Sequence, residues 1–438
     1  MKIIITGAYA IGTYLARLLS RNQEELTIID NDEERLDRIG SDYDLMTVQG
    51  SPSSLKTLKE AGACEADLFI AVTLDENENI NSCIIAHSLG AKKTVAMVND
   101  DEYMEENVLQ MYKQLGVDEL IYPETLAARE IINGLKMSWV RQRWDVHDDA
   151  LVMLGIKLRE GCEILDPDDP YHVVAIKRED ETIIPGGNDV LKLHDLAYFM
   201  TTHEYIPYIR KIVGKEHYVD VKNVMVMGGG VTAVNALQIL PKYMDAKVFE
   251  VSAERCEELN ELLDDNILVI HGDARDIPLL TDEGIRNTQA FVALTGNTEA
   301  NILACLTAKR LGVRKTVAMV DNIDYVSMAE RLDIGTVINK KAIAASSIYQ
   351  MMLDVDVLNI RFLMSANADV AEFIPKEGSM ITRKPVKDLT MPQGTTIGGL
   401  VRNGEGMLVS GNTQINAGDF VVVFCHDVNM KKLEKLFN

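Results

Sequence analysis

The amino-acid sequence contains one long segment twice, and this internal repeat limits the folds open to the chain. Residues 90–100 read GAKKTVAMVND, and residues 312–322 read GVRKTVAMVDN. The same offset of 222 positions relates Thr73 to Thr295. An offset this long indicates two large copies of one domain rather than a solenoid of short repeats.

The composition is that of an acidic globular protein. The chain has 438 residues, enough for three or four domains, and a formal net charge of −23. Nucleic-acid binding requires clustered Lys and Arg that displace phosphate counterions, so this charge argues against a nucleic-acid partner. It also disfavours adsorption to, or insertion into, an anionic lipid surface. The charge suits either plain solubility or docking on a basic partner.

The sequence also bears on the compartment. None of the six cysteines forms a C-x-x-C pair, which is typical of a reducing compartment. No long apolar run is present, and the first residues lack the basic and apolar regions of a signal peptide. We therefore expect a cytoplasmic protein.

Each copy alternates apolar strands with helices. Continuous apolar strands of four to six residues, separated by helices, are typical of a parallel sheet covered on both faces, so we predict a doubly wound, Rossmann-like α/β fold. In copy one the predicted strands are Ile3–Ile5, Leu26–Ile29, Leu45–Val48, Leu68–Val72, Thr94–Val98 and Leu120–Tyr122. The predicted helices are Ile11–Arg21, Asn31–Ile39, Asn77–Leu89, Asp101–Leu115 and a long one from Pro123 to about Trp139. Copy two is predicted to repeat this order from Val224 to about Leu353.

Short β segments follow each copy and predict small α+β modules. After copy one they are Leu151–Leu158, Val173–Lys177, Thr182–Ile184 and Ala197–Thr201; after copy two they are Asn359–Leu363, Thr396–Val401, Met407–Val409 and Phe420–Cys425. We therefore predict four domains, which are two Rossmann-like domains over residues 1–140 and 220–355 and two small modules over residues 141–215 and 356–438.

A glycine-rich loop follows the first strand of copy one, as in dinucleotide-binding folds. It comprises Gly7, Ala8, Tyr9, Ala10, Ile11 and Gly12. The glycines of a G-x-G-x-x-G loop permit a tight turn and a close approach to the pyrophosphate at the helix N-terminus. Tyr9 replaces the middle glycine and should crowd that approach. Asp30, at the end of the second strand, is placed either to accept hydrogen bonds from the adenosine ribose or to cap the next helix.

Copy two carries the more regular loop. It comprises Gly228, Gly229, Gly230, Val231 and Thr232, and Ala233 takes the third glycine position. Glu250 is the acid that ends the second strand. Three glycines between a strand and a helix predict a dinucleotide loop, with a flexible turn as the alternative. Thr73 and Thr295 end the fourth strands, where they are expected either to bind a nucleotide or to cap the following helix.

The sequence offers no evident reactive group. No H-E-x-x-H metal motif, G-x-S-x-G motif or phosphate-binding G-x-x-x-x-G-K-[ST] motif occurs, and the eight histidines show no pairing that repeats between the copies. We therefore expect a nucleotide sensor rather than an enzyme. A soluble NAD-dependent oxidoreductase and an unliganded scaffold are the alternatives.

These features together resemble the RCK family (regulator of potassium conductance), and the tandem order is similar to that of the cytosolic regulatory subunits of Trk-type bacterial potassium uptake systems. The resemblance implies binding of NAD(H), with ATP or ADP in some members. It also implies a ring of RCK units, peripheral on the membrane through a potassium-translocating subunit whose gating it controls. The nucleotide contacts that it implies are Gly7–Ile11, Asp30, Thr73 and Leu74 in copy one, and Gly228–Thr232, Glu250, Thr295 and Gly296 in copy two.

Two departures from the family pattern concern the nucleotide. Tyr9 occupies a glycine position, and Met97 and Met319 stand where the fifth strand of the family often has an arginine. A thioether cannot neutralise phosphate charge, so we expect weak triphosphate binding. We also expect NAD(H) to bind copy two more tightly than copy one, and the carboxylates of Asp30 and Glu250 to select NAD over NADP.

The apolar helix after each sixth strand suggests self-association. The segments Thr125–Val140 and Ala342–Leu353 carry apolar residues that their own sheets need not cover, among them Met351 and Met352. Burying such faces against another Rossmann unit would stabilise a homodimer or homotetramer. The alternative is that each helix packs on its own small module.

Overall fold

The structure is a computed structural model. It describes the chain except for residues 21–23, 148, 160–168, 180, 187–188, 352–356, 364–365, 367 and 427–429. The described chain divides into two compact units. The first contains Met1–Leu126, Lys340–Asp354 and Asn429–Lys431, and the second contains Ala127–Asn339, Val355–Val428 and Lys432–Asn438.

Copy one forms a six-stranded parallel sheet with helices on both faces. Its strands are β1 (Lys2–Thr6), β2 (Glu25–Asp30), β3 (Met46–Gln49), β4 (Leu68–Ala71), β5 (Thr94–Met97) and β6 (Glu119–Ile121), in the spatial order β3-β2-β1-β4-β5-β6. Its helices are α1 (Ala10–Ser20), α2 (Glu33–Asp42), α3 (Leu55–Glu60), α4 (Glu76–Leu89), α5 (Glu106–Gln114) and α6 (Pro123–Leu135). This order is that of a Rossmann fold, in which the chain reverses direction across the sheet between β1 and β4.

The first small module is a five-stranded antiparallel sheet followed by a short helix. Its elements are β7 (Gln142–Val146), β8 (Leu151–Lys157), β9 (His172–Arg178), β10 (Glu181–Ile183), β11 (Leu196–Thr201) and α7 (Ile206–Ile212). The spatial order is β10-β9-β11-β8-β7.

Copy two repeats the Rossmann sheet in the order β14-β13-β12-β15-β16-β17. Its strands are β12 (Asn223–Met227), β13 (Asp245–Glu250), β14 (Ile267–His271), β15 (Ala290–Ala293), β16 (Lys315–Met319) and β17 (Thr336–Ile338). Its helices are α8 (Val231–Gln238), α9 (Ala253–Leu262), α10 (Ile277–Asp282), α11 (Thr298–Arg310), α12 (Asp324–Arg331) and α13 (Lys340–Gln350).

The second small module has the same topology as the first. Its elements are β18 (Val357–Leu363), β19 (Ala368–Phe373), β20 (Thr395–Arg402), β21 (Glu405–Leu408), β22 (Phe420–Cys425) and α14 (Met430–Phe437), with the order β18-β19-β22-β20-β21. One face of this sheet packs on one face of the first small sheet, where Met153, Tyr198, Val370 and Phe424 belong to a single buried cluster.

The fold class is confirmed as two Rossmann-like sheets, each followed by a small module, and the sequence missed some elements. The single helix predicted over Asp101–Leu115 is a 3₁₀ turn at Asp101–Met104 followed by α5. Strands β7 and β19 were not predicted, because polar residues interrupt their apolar residues. Helices α3 and α7 were not predicted either, because six or seven residues are too few to show a helical periodicity. The four predicted domain ranges remain a prediction.

The helices after the sixth strands are buried within the chain itself. Ile131 and Leu135 of α6 are each 1% exposed, and they line the same small apolar cavity as Val224 and Leu237 of copy two. Helix α13 packs on α1 of copy one, and its Ile348 is fully buried. The predicted burial against another Rossmann unit is therefore present, but the other unit belongs to the same chain, so these buried residues do not themselves require a second chain. Met352 lies outside the described residues.

The last residues of the segment Thr125–Val140 pack on the first small module, as the alternative interpretation predicted. Trp139 and Val140 come after α6 and belong to the buried cluster of the first small module, together with Val152 and Phe199. Among the helices of the described residues, none is both long enough and apolar enough to cross a membrane.

Candidate nucleotide site

Two glycines of the copy-one loop are required by close packing. Gly7 has φ +98°, and a Cβ on it would lie 2.8 Å from the Thr73 nitrogen. A Cβ on Gly12 would lie 1.9 Å from the carbonyl oxygen of Gly7. The loop therefore packs closely against the end of β4 and against α1, as in dinucleotide-binding turns.

Tyr9, at the middle glycine position, packs against α2. The Arg35 guanidinium carbon lies 4.1 Å from the centroid of the Tyr9 ring. The ring remains partly exposed beside the loop, while Ala8 is buried and Ala10 and Ile11 begin α1.

The acid that ends the second strand holds the loop in place. Asp30 Oδ2 accepts a hydrogen bond from the Ala8 N–H at 2.6 Å, and Oδ1 accepts from the Asp32 N–H at 2.9 Å and from Arg35 Nη2 at 2.8 Å. The side chain that caps α2 is that of Asp32, so the capping alternative for Asp30 does not hold.

Copy two repeats this bond between the acid and the loop. Glu250 Oε2 accepts from the Gly229 N–H at 2.9 Å, and Oε1 accepts from the Ser252 N–H at 2.9 Å. Arg255 matches Arg35 in the sequence, five residues after the acid, but its Nε donates to the Gly229 carbonyl at 2.9 Å. The second loop residue is thus fixed by the strand-end acid in both copies.

The two threonines stabilise the turn after the fourth strand. Thr73 Oγ1 donates to the Asp75 carbonyl at 3.1 Å, and Thr295 Oγ1 lies 2.6 Å from Asn301 Oδ1. The side chains that cap the next helices are those of Asp75 and Asn297, so the threonines themselves are not the caps. Leu74, the next residue in copy one, is 65% exposed.

Two buried asparagines, which belong to none of the motifs considered above, connect the ends of strands four and five. Asn301 Oδ1 accepts from the Thr295 N–H at 3.1 Å, while its Nδ2 donates to the carbonyls of Thr295 at 2.8 Å and Met319 at 2.9 Å. Asn79 makes the same three bonds to Thr73 and Met97. The signal was present in the sequence, because the two asparagines are 222 positions apart within the repeat.

The predicted residues of copy two meet at one cavity of about 410 Å³ at the carboxyl edge of the sheet. The predicted residues that line it are Gly228, Gly229, Gly230, Glu250, Thr295 and Gly296. We call it the nucleotide cavity. Val231 and Thr232 lie outside the lining, at the start of α8, where Val231 is 51% exposed and Thr232 is buried.

The nucleotide cavity is open at the position that Tyr9 occupies in copy one. A Cβ on Gly230 would have no heavy atom within 4 Å, so this glycine leaves free space rather than filling a tight contact. The lining also includes Asp273 and Arg275, which follow β14 and were not predicted. Arg275 Nη2 donates to Asp273 Oδ2 at 2.7 Å, and this bond lowers the pKa of the Asp273 carboxyl.

One group of side chains outside the nucleotide cavity has donors suited to a metal ion. Donor atoms of Asp145, Asp149 and His203 lie within 4.8 Å of one another in the first small module. Arg143 Nε already donates to Asp145 Oδ1 at 2.8 Å, so this carboxylate has a cationic partner and we assign no metal to the group.

Comparison with known proteins matches both halves of the chain. The TrkA-N domain matches residues 3–123 and 224–340, and the TrkA-C domain matches residues 370–438. The Trk system potassium uptake protein TrkA of Haemophilus influenzae is 30% identical over 455 residues, covering 100% of this chain and 98% of that protein. The protein of the same name from Halomonas elongata is 28% identical, with coverage of 100% and 98%.

Solved structures share the fold at low sequence identity. The GsuK channel bound to NAD has a TM-score of 0.62 at 15% identity and covers 100% of this chain and 78% of that chain. The GsuK structure bound to ADP has a TM-score of 0.50 at 14% identity, with coverage of 80% and 69%. The two TrkA-N matches and the full-length relatives establish that this chain belongs to the TrkA family of Trk system potassium uptake proteins.

Proposed function

We propose that this chain is the nucleotide-sensing regulatory subunit of a potassium uptake system, and that NAD(H) in copy two controls the gating of a Trk-type membrane subunit. The observation that carries the proposal is the nucleotide cavity, where the Gly228–Gly230 loop, Glu250 and the Thr295–Gly296 turn face one space. Backbone N–H groups at a helix N-terminus and a strand-end carboxylate are the groups that bind a pyrophosphate and a ribose.

Glu250 retains capacity for a ribose. A carboxylate offers about four acceptor positions, and two hydrogen bonds to Glu250 are present, from Gly229 and Ser252. Asp30 accepts three hydrogen bonds, one of them from a guanidinium group. Together with Tyr9 in the loop, this difference supports tighter NAD(H) binding in copy two than in copy one.

Adenine nucleotides other than NAD(H) are also candidates. The GsuK structure bound to ADP shares the fold, and ADP or ATP is therefore a candidate ligand of the same cavity. Arg275 is the cation among the described lining residues, and it is already paired with Asp273. Met319, which ends β16, adds no charge to bind a third phosphate. We therefore expect NAD(H) to bind more tightly than ATP.

The turn that would contact the ligand is coupled to the sheet and to a long helix. Asn301 on α11 bonds the backbone of Thr295 beside the cavity and the carbonyl of Met319 at the end of β16. A ligand that changes the Thr295–Gly296 turn would therefore act on α11 and β16 through one buried side chain. We propose that this connection transmits nucleotide occupancy to the membrane subunit, to which the chain binds as a peripheral cytoplasmic homodimer or homotetramer.

The direct test is calorimetric titration of NADH into wild-type protein and two glycine variants. Gly230→Tyr places a phenol in open space at the cavity, so the protein should fold while its NADH affinity falls at least tenfold. Gly186→Tyr is the matched control, since Gly186 is exposed and lies in the first small module. Unchanged NADH affinity in Gly230→Tyr would remove the proposed site.

The regulatory role requires a second measurement. Affinity purification of the chain from membranes, with mass spectrometry of the bound nucleotide, should recover a potassium-translocating subunit and NAD(H). Potassium flux through that subunit in vesicles should change with NADH for the wild-type chain and not for Gly230→Tyr. Loss of NADH absorbance with carbonyl substrates would instead support the oxidoreductase alternative.

A further inference from the structure

A second cavity, of about 40 Å³, lies in the second unit and shares no lining residue with the nucleotide cavity. We call it the basic cavity. Its walls come from the segment after α6, from β8, from the segment after α7 and from the edge of the copy-two sheet. A single water needs about 10–15 Å³, so the space suits a group of several heavy atoms.

Basic side chains dominate the lining, although the whole chain carries a formal net charge of −23. Four lysines line the cavity: Lys157, Lys215, Lys309 and Lys315. Three arginines join them: Arg141, Arg159 and Arg314. The concentration of positive charge is therefore a local feature and does not reflect the composition.

One carboxylate forms ion pairs with three of these basic side chains. Asp333 accepts a hydrogen bond from Arg141, and its Oδ2 lies 3.0 Å from both Arg159 Nη2 and Lys309 Nζ. Glu330 is close enough to act electrostatically on Arg141 and adds a second negative charge. Asp195 acts in the same way on Lys157, so seven basic side chains face three carboxylates.

The other four basic side chains hydrogen-bond to neutral groups or, among the described residues, make no side-chain hydrogen bond, although Asp333 and Asp195 act electrostatically on Lys157. Lys315 Nζ donates to the Val140 carbonyl at 2.6 Å, Lys215 Nζ to Tyr218 Oη at 3.3 Å, and Arg314 to the His217 carbonyl at 3.1 Å. Lys157 makes no hydrogen bond through its ammonium group to any residue that the structure describes. Their positive charge remains available to an anion.

The crowding is energetically costly without such an anion. Burial, and to a lesser extent the charge of Arg141, lower the pKa of Lys315 to about 7. Burial is also the main cause that lowers the pKa of Lys157 and of Lys309. Like charges repel strongly in a poorly solvated space, and an anion bound among them would relieve that repulsion.

The donors are arranged in depth. Lys215 and Lys315 are 4% and 3% exposed and form the inner wall, whereas the side chain of Arg159 is 53% exposed at the mouth. A guanidinium group binds two phosphate oxygens at once, and ammonium groups bind single oxygens. We propose that the basic cavity binds a polyphosphate group, with one phosphoryl group inside and the next at the arginines of the mouth.

Inorganic pyrophosphate and the phosphate chain of a nucleotide share this chemistry. Titration of pyrophosphate at fixed ionic strength should give saturable binding of one ligand per chain. Lys157→Gln combined with Arg159→Gln should weaken it at least tenfold. The double variant should fold, because Arg141 and Lys309 remain paired with Asp333 and Lys157 makes no hydrogen bond that the substitution removes. Circular dichroism and unchanged NADH affinity would verify the fold.

The matched control removes the same charge elsewhere. Arg38→Gln with Lys56→Gln changes two exposed side chains of copy one and should leave pyrophosphate affinity within twofold of wild type. An equal loss in this control would overturn the proposal, and so would the absence of any saturable binding of pyrophosphate or ATP that depends on Lys157 and Arg159. ATP titrated into Gly230→Tyr protein distinguishes the source. If ATP binds through Lys157 and Arg159 and pyrophosphate does not bind, the ligand is a nucleotide. If ATP binding does not depend on Lys157 and Arg159, the result counts against the site.

Discussion

Lys315 Nζ donates to the Val140 carbonyl at 2.6 Å, and Lys93 Nζ, at the equivalent position of the repeat, donates to the Met351 carbonyl at 3.2 Å. Val140 follows α6, and Met351 follows α13. Each lysine at the start of a fifth strand therefore binds the chain just beyond the crossover helix of the other copy. The repeat thus extends beyond the sheets to the contacts that hold these helices.

The stability of the protein should depend on the charge of Lys315. Its folded pKa is lowered to about 7, whereas in the unfolded chain the ordinary value of 10.5 applies. Between these values the unfolded state binds more protons, so the free energy of unfolding should rise with pH, by up to about 1.4 kcal/mol per pH unit. Urea unfolding across this range should show that slope in wild-type protein and a reduced slope in Lys315→Met.

Lys93→Met is the matched control for this measurement, because Lys93 is only partly buried and makes the equivalent backbone bond. It should keep the wild-type slope. Identical slopes in wild-type protein and Lys315→Met would contradict the lowered pKa of Lys315 in the folded state.

Loss of the Asn301 amide should destabilise copy two. Asn301 is fully buried, and truncation of its side chain removes the hydrogen bonds to the Thr295 N–H and to the carbonyls of Thr295 and Met319. Leaving such groups unsatisfied typically costs about 2–4 kcal/mol in Asn301→Ala. Hydrogen exchange should show earlier opening at β15 and β16, whereas Asn81→Ala, at an exposed position of α4, should have no such effect.

Glu250 should set the preference for NADH over NADPH. A carboxylate at this position repels the 2′-phosphate, so Glu250→Gln should raise NADPH affinity about tenfold or more. The amide oxygen of Gln can still accept the Gly229 N–H, which preserves the loop. Fluorescence titration of both nucleotides measures the ratio. Glu257→Gln, an exposed neighbour on α9, should leave it unchanged, and NADPH binding equal to NADH binding in wild-type protein would refute the preference.

Each small module should depend on one ion pair between a buried aspartate and a partly exposed arginine. Arg402 donates through Nε and Nη2 to the two carboxylate oxygens of Asp419 at 2.8 and 2.7 Å, and Arg178 pairs with Asp195 in the same way. Asp419 is 2% exposed. Asp419→Ala leaves the partly exposed Arg402 without its carboxylate and the Asn416 N–H without its acceptor, so it should destabilise the module by about 1–3 kcal/mol. Arg402→Lys cannot bind both carboxylate oxygens of Asp419 at once, so its thermal unfolding should occur at a lower temperature than that of wild-type protein.

The candidate site was largely predictable because its residues obey local rules. Gly7, Gly12 and Asp30 follow from the strand, loop and helix order of a dinucleotide fold, and Gly228–Gly230 with Glu250 follow from the same order in copy two. The asparagines Asn79 and Asn301 were visible only as repeated letters. Their role depends on the ends of the fourth and fifth strands lying side by side, and no local sequence pattern predicts that contact.

The sequence by itself determined the Rossmann sheets, because continuous apolar strands separated by helices allow only a parallel sheet with covered faces. It also determined the repeat, and through the repeat the pairs of equivalent residues. Only the tertiary structure decided where the crossover helices lie, since an apolar helix face can be buried by any suitable apolar surface. It alone brought together the seven basic side chains of the basic cavity, because charges distant in the chain become neighbours only through packing.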